Sequence, residues 1–168
     1  VRESSWIGLL TRLLACLRFR RSVALLQTSH RRMPMTWGLL LPKVLLPAET
    51  ADWPEERRRV VLLHELAHVK RRDYLTNLLT RIACAVYWFN TLIWLAARYV
   101  VSEREHACDE IVLGLGARPA NYAEQVLQIA SGLQTERFAT FSGIAMARPS
   151  KLEGRLLAIL DVRRDRRA

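Results

Sequence analysis

The stretch VVLLHELAHVKRRD, residues 60–73, carries two histidines four residues apart in an apolar run, with a glutamate directly after the first histidine. Upstream, residues 52–55 form a D-x-x-E pattern, which is typical of a helix start. Together these signals predict a helix over about residues 53–71. Because residues i and i+4 lie on one face of a helix, His64 and His68 are expected to direct their imidazoles toward a single point.

Histidines at this spacing have a specific chemical use. Two neutral imidazoles can hold a zinc ion and still leave a coordination position for water. Zinc lowers the pKa of such a water toward about 7, and Glu65 is placed to accept its proton. The alternative is an ordinary buried helix, but that helix would need other partners for two imidazoles and a carboxylate. The pattern is that of zinc metalloproteases and favours a catalytic zinc site.

A third protein ligand is expected from the acidic stretch SEREHACDE, residues 102–110. On a predicted helix, Glu105 and Asp109 share a face, whereas Glu103 points away from it. We therefore predict Glu105 as the third ligand and Asp109 as the carboxylate that accepts the free N–H of a ligand histidine. Cys108, near the same face, is a further candidate ligand, but a small buried thiol is the favoured interpretation. Spacing alone fits a charged surface helix equally well.

The order of elements predicts an α+β fold, with a small sheet followed by many helices. A short amphipathic helix, a strand at SVALLQT and an extended segment interrupted by Gly38 and Pro42 come first, which indicates a small sheet with an exposed edge. Asp73 is predicted to cap a second helix, and WFN at 88–90 marks a break. The remaining predictions are helices over 92–113, from Pro119 to about 132 and after Ser150, with a mobile loop over 134–148.

Composition limits the class of protein. The 168 residues are 51% hydrophobic, which fits one domain with a real core and excludes a disordered chain. The net charge of +10 indicates a polyanionic neighbour, either nucleic acid or an anionic membrane surface. Three cysteines without a C-x-x-C pair argue against a disulfide framework and fit a reducing cytosolic setting. Since the chain begins with Val1, we expect an excerpt of a longer protein.

The stretch IACAVYWFNTLIWLAA, residues 82–97, contains no charged residue. It has 16 residues, whereas a helix that crosses a bilayer needs roughly 20 apolar ones. We interpret it as buried core or as a membrane-facing surface in preference to a transmembrane span.

Five blocks give a more specific indication: PMTWGLLLPKVLLP, LLHELAHVKRRDYLTNLL, YWFNTLIWLAAR, EREHACDE and NYAEQVLQIA, in that order. Together they resemble the BlaR/MecR-type peptidases, a family of antibiotic-sensor membrane metallopeptidases. The similarity runs from about residue 6 to residue 160, nearly the whole chain. The set of blocks is far more specific than the histidine motif alone, and it indicates one zinc metallopeptidase domain over residues 1–168.

The resemblance implies a gluzincin, a mostly helical zincin-like domain with a small N-terminal sheet or hairpin. One zinc ion per chain would be held by His64, His68 and Glu105, with Glu65 as the base, and Asp109 matches an aspartate of the family. The implied activity is endoproteolysis of protein substrates at the cytosolic face of the bacterial inner membrane. In the sensor members, activation by β-lactam leads to self-cleavage and inactivation of a repressor, so a transcriptional repressor is one candidate partner.

Two features depart from the family pattern. Thr91 stands where a proline usually follows WFN, and the 168 residues contain no penicillin-binding segment, so drug sensing is not predicted. For substrate binding, gluzincins resemble one another in pairing an extended peptide with an edge strand. The segment 36–41, with Gly38 and Leu39, is the candidate, although a plain core hairpin fits equally well. Arg98 and Tyr122 are candidates for the oxyanion partner.

Two other functions compete with proteolysis. A catalytically inactive, membrane-associated scaffold or binding module could retain the same fold, but the intact set of four zinc-site residues argues against it. A basic nucleic-acid-binding protein would also fit the charge. The arginines, however, are scattered over helix ends and no reading helix or zinc-finger spacing is present, so nucleic acid is not the expected partner. We expect membrane contact through flanking segments and basic clusters.

Overall fold

The computed structural model describes residues 4–29, 34–140 and 149–161. Within them the chain forms six α-helices, three strands and one 3-10 helix. In chain order these are α1 (Ser4–Cys16), β1 (Ala24–Thr28), β2 (Met35–Trp37), β3 (Lys43–Pro47), the 3-10 helix Ala48–Asp52, α2 (Glu55–Arg71), α3 (Asp73–Val86), α4 (Thr91–Gly114), α5 (Pro119–Thr140) and α6 (Pro149–Leu160). The predicted α+β class with a small N-terminal sheet is confirmed.

The sheet places β3 in the middle, with β1 parallel to it on one side and β2 antiparallel on the other. Proline cannot donate to a ladder, and Pro42 and Pro47 lie just before and at the end of β3, where the loss is tolerated. Val44 and Leu46 of β3 are fully buried and join the sheet to the helices. In the register, Thr36 of β2 lies opposite Val44. The strand β2 is thus the edge strand beside the site described below.

Helix α2 forms the centre of the core. Leu62, Leu63 and Leu66 are almost completely buried, and each such side chain stabilises the fold by roughly 1.5–3 kcal/mol. They belong to one cluster with buried side chains of α1, β3, α4, α5 and α6, namely Trp6, Leu13, Val44, Leu46, Val112, Tyr122 and Ile159. Because α2 packs on α1, α3, α4 and β2, its two histidines are surrounded by rigid elements.

The break at WFN is confirmed, and its cause is local. The side chain of Asn90 accepts a hydrogen bond from the Leu92 backbone N–H at 3.0 Å and so caps α4. This cap fixes the start of α4, as a proline after WFN would otherwise do. The break is therefore compatible with Thr91 at that position. No helix among the residues that the structure describes is both long enough and apolar enough to cross a bilayer.

Three predictions of helix ends are wrong. Asp52 does not cap α2, because it lies in the 3-10 helix and Pro54 takes the cap position without a side-chain bond. Asp73 is the first residue of α3, and its buried carboxylate turns back toward α2 instead of capping α3. Residues 134–140, predicted as loop, continue α5, while 141–148 lie outside the described residues.

Candidate metal centre

Helices α2 and α4 bring three potential metal ligands together. The Nε2 atom of His64 lies 3.6 Å from one carboxylate oxygen of Glu105, and Nε2 of His68 lies 3.8 Å from the other. The two imidazole rings are 4.8 Å apart in an edge-on arrangement. Ligands about 2.1 Å from a tetrahedral zinc are separated by about 3.4 Å, so small side-chain adjustments would close these gaps. The donor set and its spacing fit zinc.

The opposite nitrogen of His68 is held by Asp73. Its Nδ1 lies 2.7 Å from a carboxylate oxygen of Asp73, which is the geometry of an N–H donated to a carboxylate. A proton on Nδ1 leaves the lone pair on Nε2, the atom that faces Glu105. The sequence did not reveal this partner, because Asp73 was interpreted as a helix cap.

The opposite nitrogen of His64 is held by Tyr122. The Tyr122 hydroxyl lies 2.9 Å from Nδ1 of His64 and donates to a carboxylate oxygen of Asp109 at 2.5 Å. Since that proton goes to Asp109, the phenol oxygen is free to accept the N–H of His64. Burial and the neighbouring Asp109 charge raise the pKa of Tyr122, so the phenol stays protonated. Asp109 itself is 3.4 Å from the same nitrogen, but the closer acceptor is the Tyr122 hydroxyl, so Asp109 contacts His64 through Tyr122 and its predicted role as direct acceptor stays a prediction.

Arg155 of α6 joins the two carboxylates of α4. Its guanidinium makes two hydrogen bonds of 2.9 and 2.8 Å to Asp109, and a third nitrogen lies 3.2 Å from Glu105. Burial alone would raise the pKa of Glu105, but the neighbouring His64 and the Arg155 charge outweigh it and lower that pKa to about 2. Glu105 is therefore an anionic carboxylate, the form that a metal requires.

Glu65 lies next to this ligand set on α2. It is buried, and its carboxylate accepts a hydrogen bond of 2.5 Å from the Thr36 hydroxyl on β2. Edge strand and candidate base are thus in direct contact. Thr36 was predicted only as part of a peptide-binding edge, and its contact with Glu65 could not be read from the sequence, since 29 positions separate the two residues.

A cavity of about 510 Å³ opens over these residues. Seven of the residues singled out from the sequence line it, namely Gly38, Leu39, His64, Glu65, His68, Glu105 and Tyr122. Asp109 is buried behind Tyr122. Arg98 is exposed on α4 and does not belong to the cavity lining, so the structure does not bring it to the site. Arg155, which the sequence did not single out, is part of the lining.

A second group of possible ligands shares His68. The thiol of Cys108 lies 3.2 Å from Nδ1 of His68 and 3.5 Å from Asp73. Nδ1 and the Asp73 oxygen are 2.7 Å apart, closer than two ligands of one zinc and typical of a hydrogen bond. Burial, together with the charge of Asp73, raises the pKa of Cys108, so the thiolate that a metal needs is disfavoured. We assign this group to the support of His68, in keeping with the buried thiol predicted from the sequence.

Comparison with known proteins adds an independent indication. A family model described as BlaR1 peptidase M56 matches residues 2–159. The regulatory protein BlaR1 of Bacillus licheniformis is 36% identical over 97 residues, which cover 58% of this chain and 16% of that protein. The methicillin resistance mecR1 proteins of Staphylococcus aureus and Staphylococcus epidermidis are each 26% identical over 113 residues, 66% of this chain and 19% of the relative. The matched segments span less than a fifth of these relatives.

Proposed function

Because this chain belongs to the BlaR1 peptidase M56 family, we propose that it is a zinc-dependent endopeptidase that cleaves protein substrates in regulatory proteolysis. The observation that carries the proposal is the convergence of His64, His68 and Glu105, with the far nitrogens of both histidines engaged by protein groups. An inactive scaffold would not need two histidines oriented in this way.

The chain's own residues have separable roles in this reaction. His64, His68 and Glu105 would hold zinc, which when bound supplies Lewis acidity and makes a neighbouring water more acidic. Glu65 lines the same cavity as the ligands and accepts the proton of the attacking water, then passes it to the leaving amine. The Thr36 hydroxyl donates to one oxygen of that carboxylate, which leaves the other oxygen to accept the proton of the water.

The substrate peptide is proposed to add to the edge of β2 in extended form. Within the described part of the chain, β2 pairs only with β3, so we propose that backbone groups of Thr36 and Trp37 form hydrogen bonds with the peptide. Gly38 and Leu39 follow directly and line the cavity, which supports binding of the peptide beside Glu65. Self-cleavage and cleavage of a repressor are both compatible with this mode of binding.

The proposed location is the cytosolic face of the bacterial inner membrane. The net charge of +10 complements an anionic membrane surface, and the three cysteines are free, as expected in a reducing compartment. The names of the relatives, a regulatory protein and methicillin resistance proteins, are consistent with a signalling role, which we extend to this chain only as part of the proposal.

The first experiment measures zinc content and peptide hydrolysis on the same chelator-free protein. Wild type is expected to hold about one zinc per chain and to cleave members of a quenched fluorescent peptide library. Glu65→Gln should keep the zinc but lose hydrolysis by roughly 10²–10⁴-fold, since only the base is removed. Glu105→Ala should lose zinc, whereas the matched control Glu103→Ala, on the exposed side of α4, should keep it.

The results also discriminate between the alternatives. A folded wild type that takes up no added zinc, or that binds zinc and cleaves no peptide, would favour the scaffold. If Glu65→Gln hydrolyses peptides as fast as wild type, Glu65 is not the base. Retention of a DNA fragment in a low-salt gel shift would support the nucleic-acid alternative.

A further inference from the structure

The hairpin formed by α3 and α4 presents an apolar end to solvent. We call residues 82–97 the hairpin tip. They comprise the end of α3, the connecting turn and the start of α4. Trp88, Phe89 and Leu92 are 71%, 70% and 71% exposed, and further exposed apolar side chains extend down both helices at Ile82, Val86, Tyr87, Trp94 and Leu95. Large contiguous apolar patches of this kind are rare on soluble monomers and mark surfaces that bind something.

Several polar groups in the tip are paired inside it. The Trp94 indole donates to the Trp88 carbonyl at 3.0 Å, and the Asn90 side chain accepts from the Leu92 N–H. The Asn90 backbone N–H donates to the Tyr87 carbonyl at 2.9 Å. In hydrocarbon every unsatisfied polar group is costly, so these internal hydrogen bonds lower the cost of placing the turn in an apolar medium.

Two arginines flank the tip, one on each helix. Between residues 74 and 102 the only charged side chains are Arg81 and Arg98, and both are exposed. At 1.5 Å per residue they lie about 8 and 11 Å from the ends of α3 and α4. Elements that lie in a membrane interface bury their apolar side to about 5–10 Å, so both guanidinium groups would reach the phosphate level when the tip is inserted.

From the exposed aromatic tip, its internal hydrogen bonds and the flanking arginines, we infer that the hairpin tip inserts into one leaflet of an anionic phospholipid bilayer. It acts as an anchor that enters only one leaflet, since its 16 residues are too few to cross a bilayer. The inference rests on the membrane location within the proposed function but not on hydrolysis.

Insertion also fixes the height of the metal centre. Asp73 and Glu105 lie eight and seven residues from the arginines along α3 and α4, which places the centre about 10–12 Å from the phosphate level. Substrate segments within that distance of the membrane surface would reach the cavity, whereas more distant segments would have to bend toward it. The anchor therefore selects juxtamembrane segments as substrates.

The test is co-sedimentation of the purified chain with lipid vesicles. Wild type is expected to bind vesicles enriched in phosphatidylglycerol roughly 30-fold more tightly than pure phosphatidylcholine vesicles, about fivefold for each arginine near the surface. Trp88→Ser with Phe89→Ser should weaken binding at least about tenfold, since both lose their apolar contact with lipid. The matched control, Ile7→Ser with Leu157→Ser, replaces exposed apolar residues outside the tip and should bind like wild type.

The arginines are tested separately. Arg81→Gln with Arg98→Gln should abolish most of the preference for phosphatidylglycerol, while Arg20→Gln with Arg118→Gln, exposed arginines outside the hairpin, should retain it. Brominated lipids should quench tryptophan emission in wild type and less in the Trp88→Ser variant.

Several outcomes would overturn the inference. The inference is wrong if the wild type does not bind anionic vesicles. It is also wrong if the tip variant binds vesicles as tightly as the control variant. A dimer that dissociates in the tip variant, seen by sedimentation velocity without vesicles, would assign the tip to a second copy of the chain. Hydrolysis of soluble peptides should be unchanged in the tip variant. A chain that binds vesicles but cleaves nothing would refute the peptidase proposal and leave the anchor standing.

Discussion

His68 shows how much of a metal site depends on the atom behind the ligand. Its Nδ1 contacts the Asp73 carboxylate at 2.7 Å, and this negative charge favours the tautomer whose Nε2 faces Glu105. We predict that Asp73→Asn, which keeps the volume and removes the charge, lowers zinc affinity by about tenfold or more. The measurement is competition against a chromophoric chelator at neutral pH.

A matched control tests whether the loss of zinc affinity is specific to the Asp73 carboxylate or follows from the loss of any negative charge. Asp52→Asn changes an exposed carboxylate in the 3-10 helix and should leave zinc affinity as in wild type. If both variants bind zinc like wild type, Asp73 does not orient the histidine.

The cysteines provide a second prediction at the residue scale. Cys16 is exposed, whereas Cys108 is fully buried, and burial together with the Asp73 charge raises the pKa of the Cys108 thiol. Because only the thiolate reacts, iodoacetamide at mildly alkaline pH should label Cys16 rapidly and Cys108 only on unfolding. Peptide mapping by mass spectrometry over time measures both rates. Faster labelling of Cys108 than of Cys16 in the folded chain would contradict the contacts described for it.

The sequence predicts the roles of some residues of the metal centre better than those of others. The spacing of His64 and His68 is a local property of one helix, so their convergence could be anticipated. Asp73 reaches His68 only because Arg72 adopts a left-handed conformation, with φ of 58°, and reverses the chain between α2 and α3. A non-glycine residue in that conformation has no reliable sequence signal, and the polar context of Asp73 equally fits a helix cap.

At the scale of elements, the turn after β2 controls the edge strand. Gly38 has φ of +94°, and a Cβ there would lie 2.5 Å from the Leu41 carbonyl oxygen. Gly38→Ala should therefore destabilise the chain by about 2 kcal/mol, the usual range of such backbone strain. Urea denaturation at constant zinc concentration measures the change. The altered turn should also disturb Thr36 and, through it, the contact with Glu65.

Helix α1 offers the matched substitution. At Gly8, in the middle of α1, an added Cβ meets nothing within 4 Å, so Gly8→Ala should stabilise the chain by about 0.5–1 kcal/mol. If Gly38→Ala and Gly8→Ala changed the free energy of unfolding alike, the turn after β2 would be able to relax around the added Cβ.

Elements with local end signals were predicted better than elements without them. Asn90 caps α4 by its own side chain, and the WFN break follows from that contact. The C-terminal part of α5 lacks a clear apolar period and was predicted as a loop, yet residues 134–140 are helical. Several of these residues, such as Gln134 and Glu136, favour helices intrinsically, and continuing a helix needs no new start signal.

At the scale of the whole molecule, Arg155 connects α6 to the metal centre. It lies 46 positions from Asp109, and no local pattern marks it among the many arginines of the chain. Its position follows only from the packing of α6 on α4 and α5. Long-range contacts of this kind depend on how complete helices pack, which is why the sequence identified the carboxylates of α4 but not the cation between them.

Removal of that cation should lower the stability of the zinc-free chain at neutral pH and make that stability less dependent on pH in acid. Arg155→Met leaves Asp109 and Glu105 without their guanidinium partner, which should cost about 3 kcal/mol at pH 7, the low end for a buried pair because Arg155 is a fifth exposed. Since folding lowers the pKa of Glu105 from 4.5 to about 2, its ionised form contributes stability that is fully present above pH 4.5.

That contribution is lost as pH falls from 4.5 toward 2. Without Arg155 the folded pKa of Glu105 rises toward its unfolded value, so the variant has less of this stability to lose. The difference in unfolding free energy between wild type and Arg155→Met should therefore be largest at neutral pH and shrink in acid. Urea denaturation of the zinc-free proteins at several pH values measures it, with Arg12→Met, whose partner Glu55 is exposed, as a control that should differ little at any pH. A difference that stays constant with pH would mean that Arg155 acts through the packing of its apolar stem on α6 and not through the carboxylates of α4.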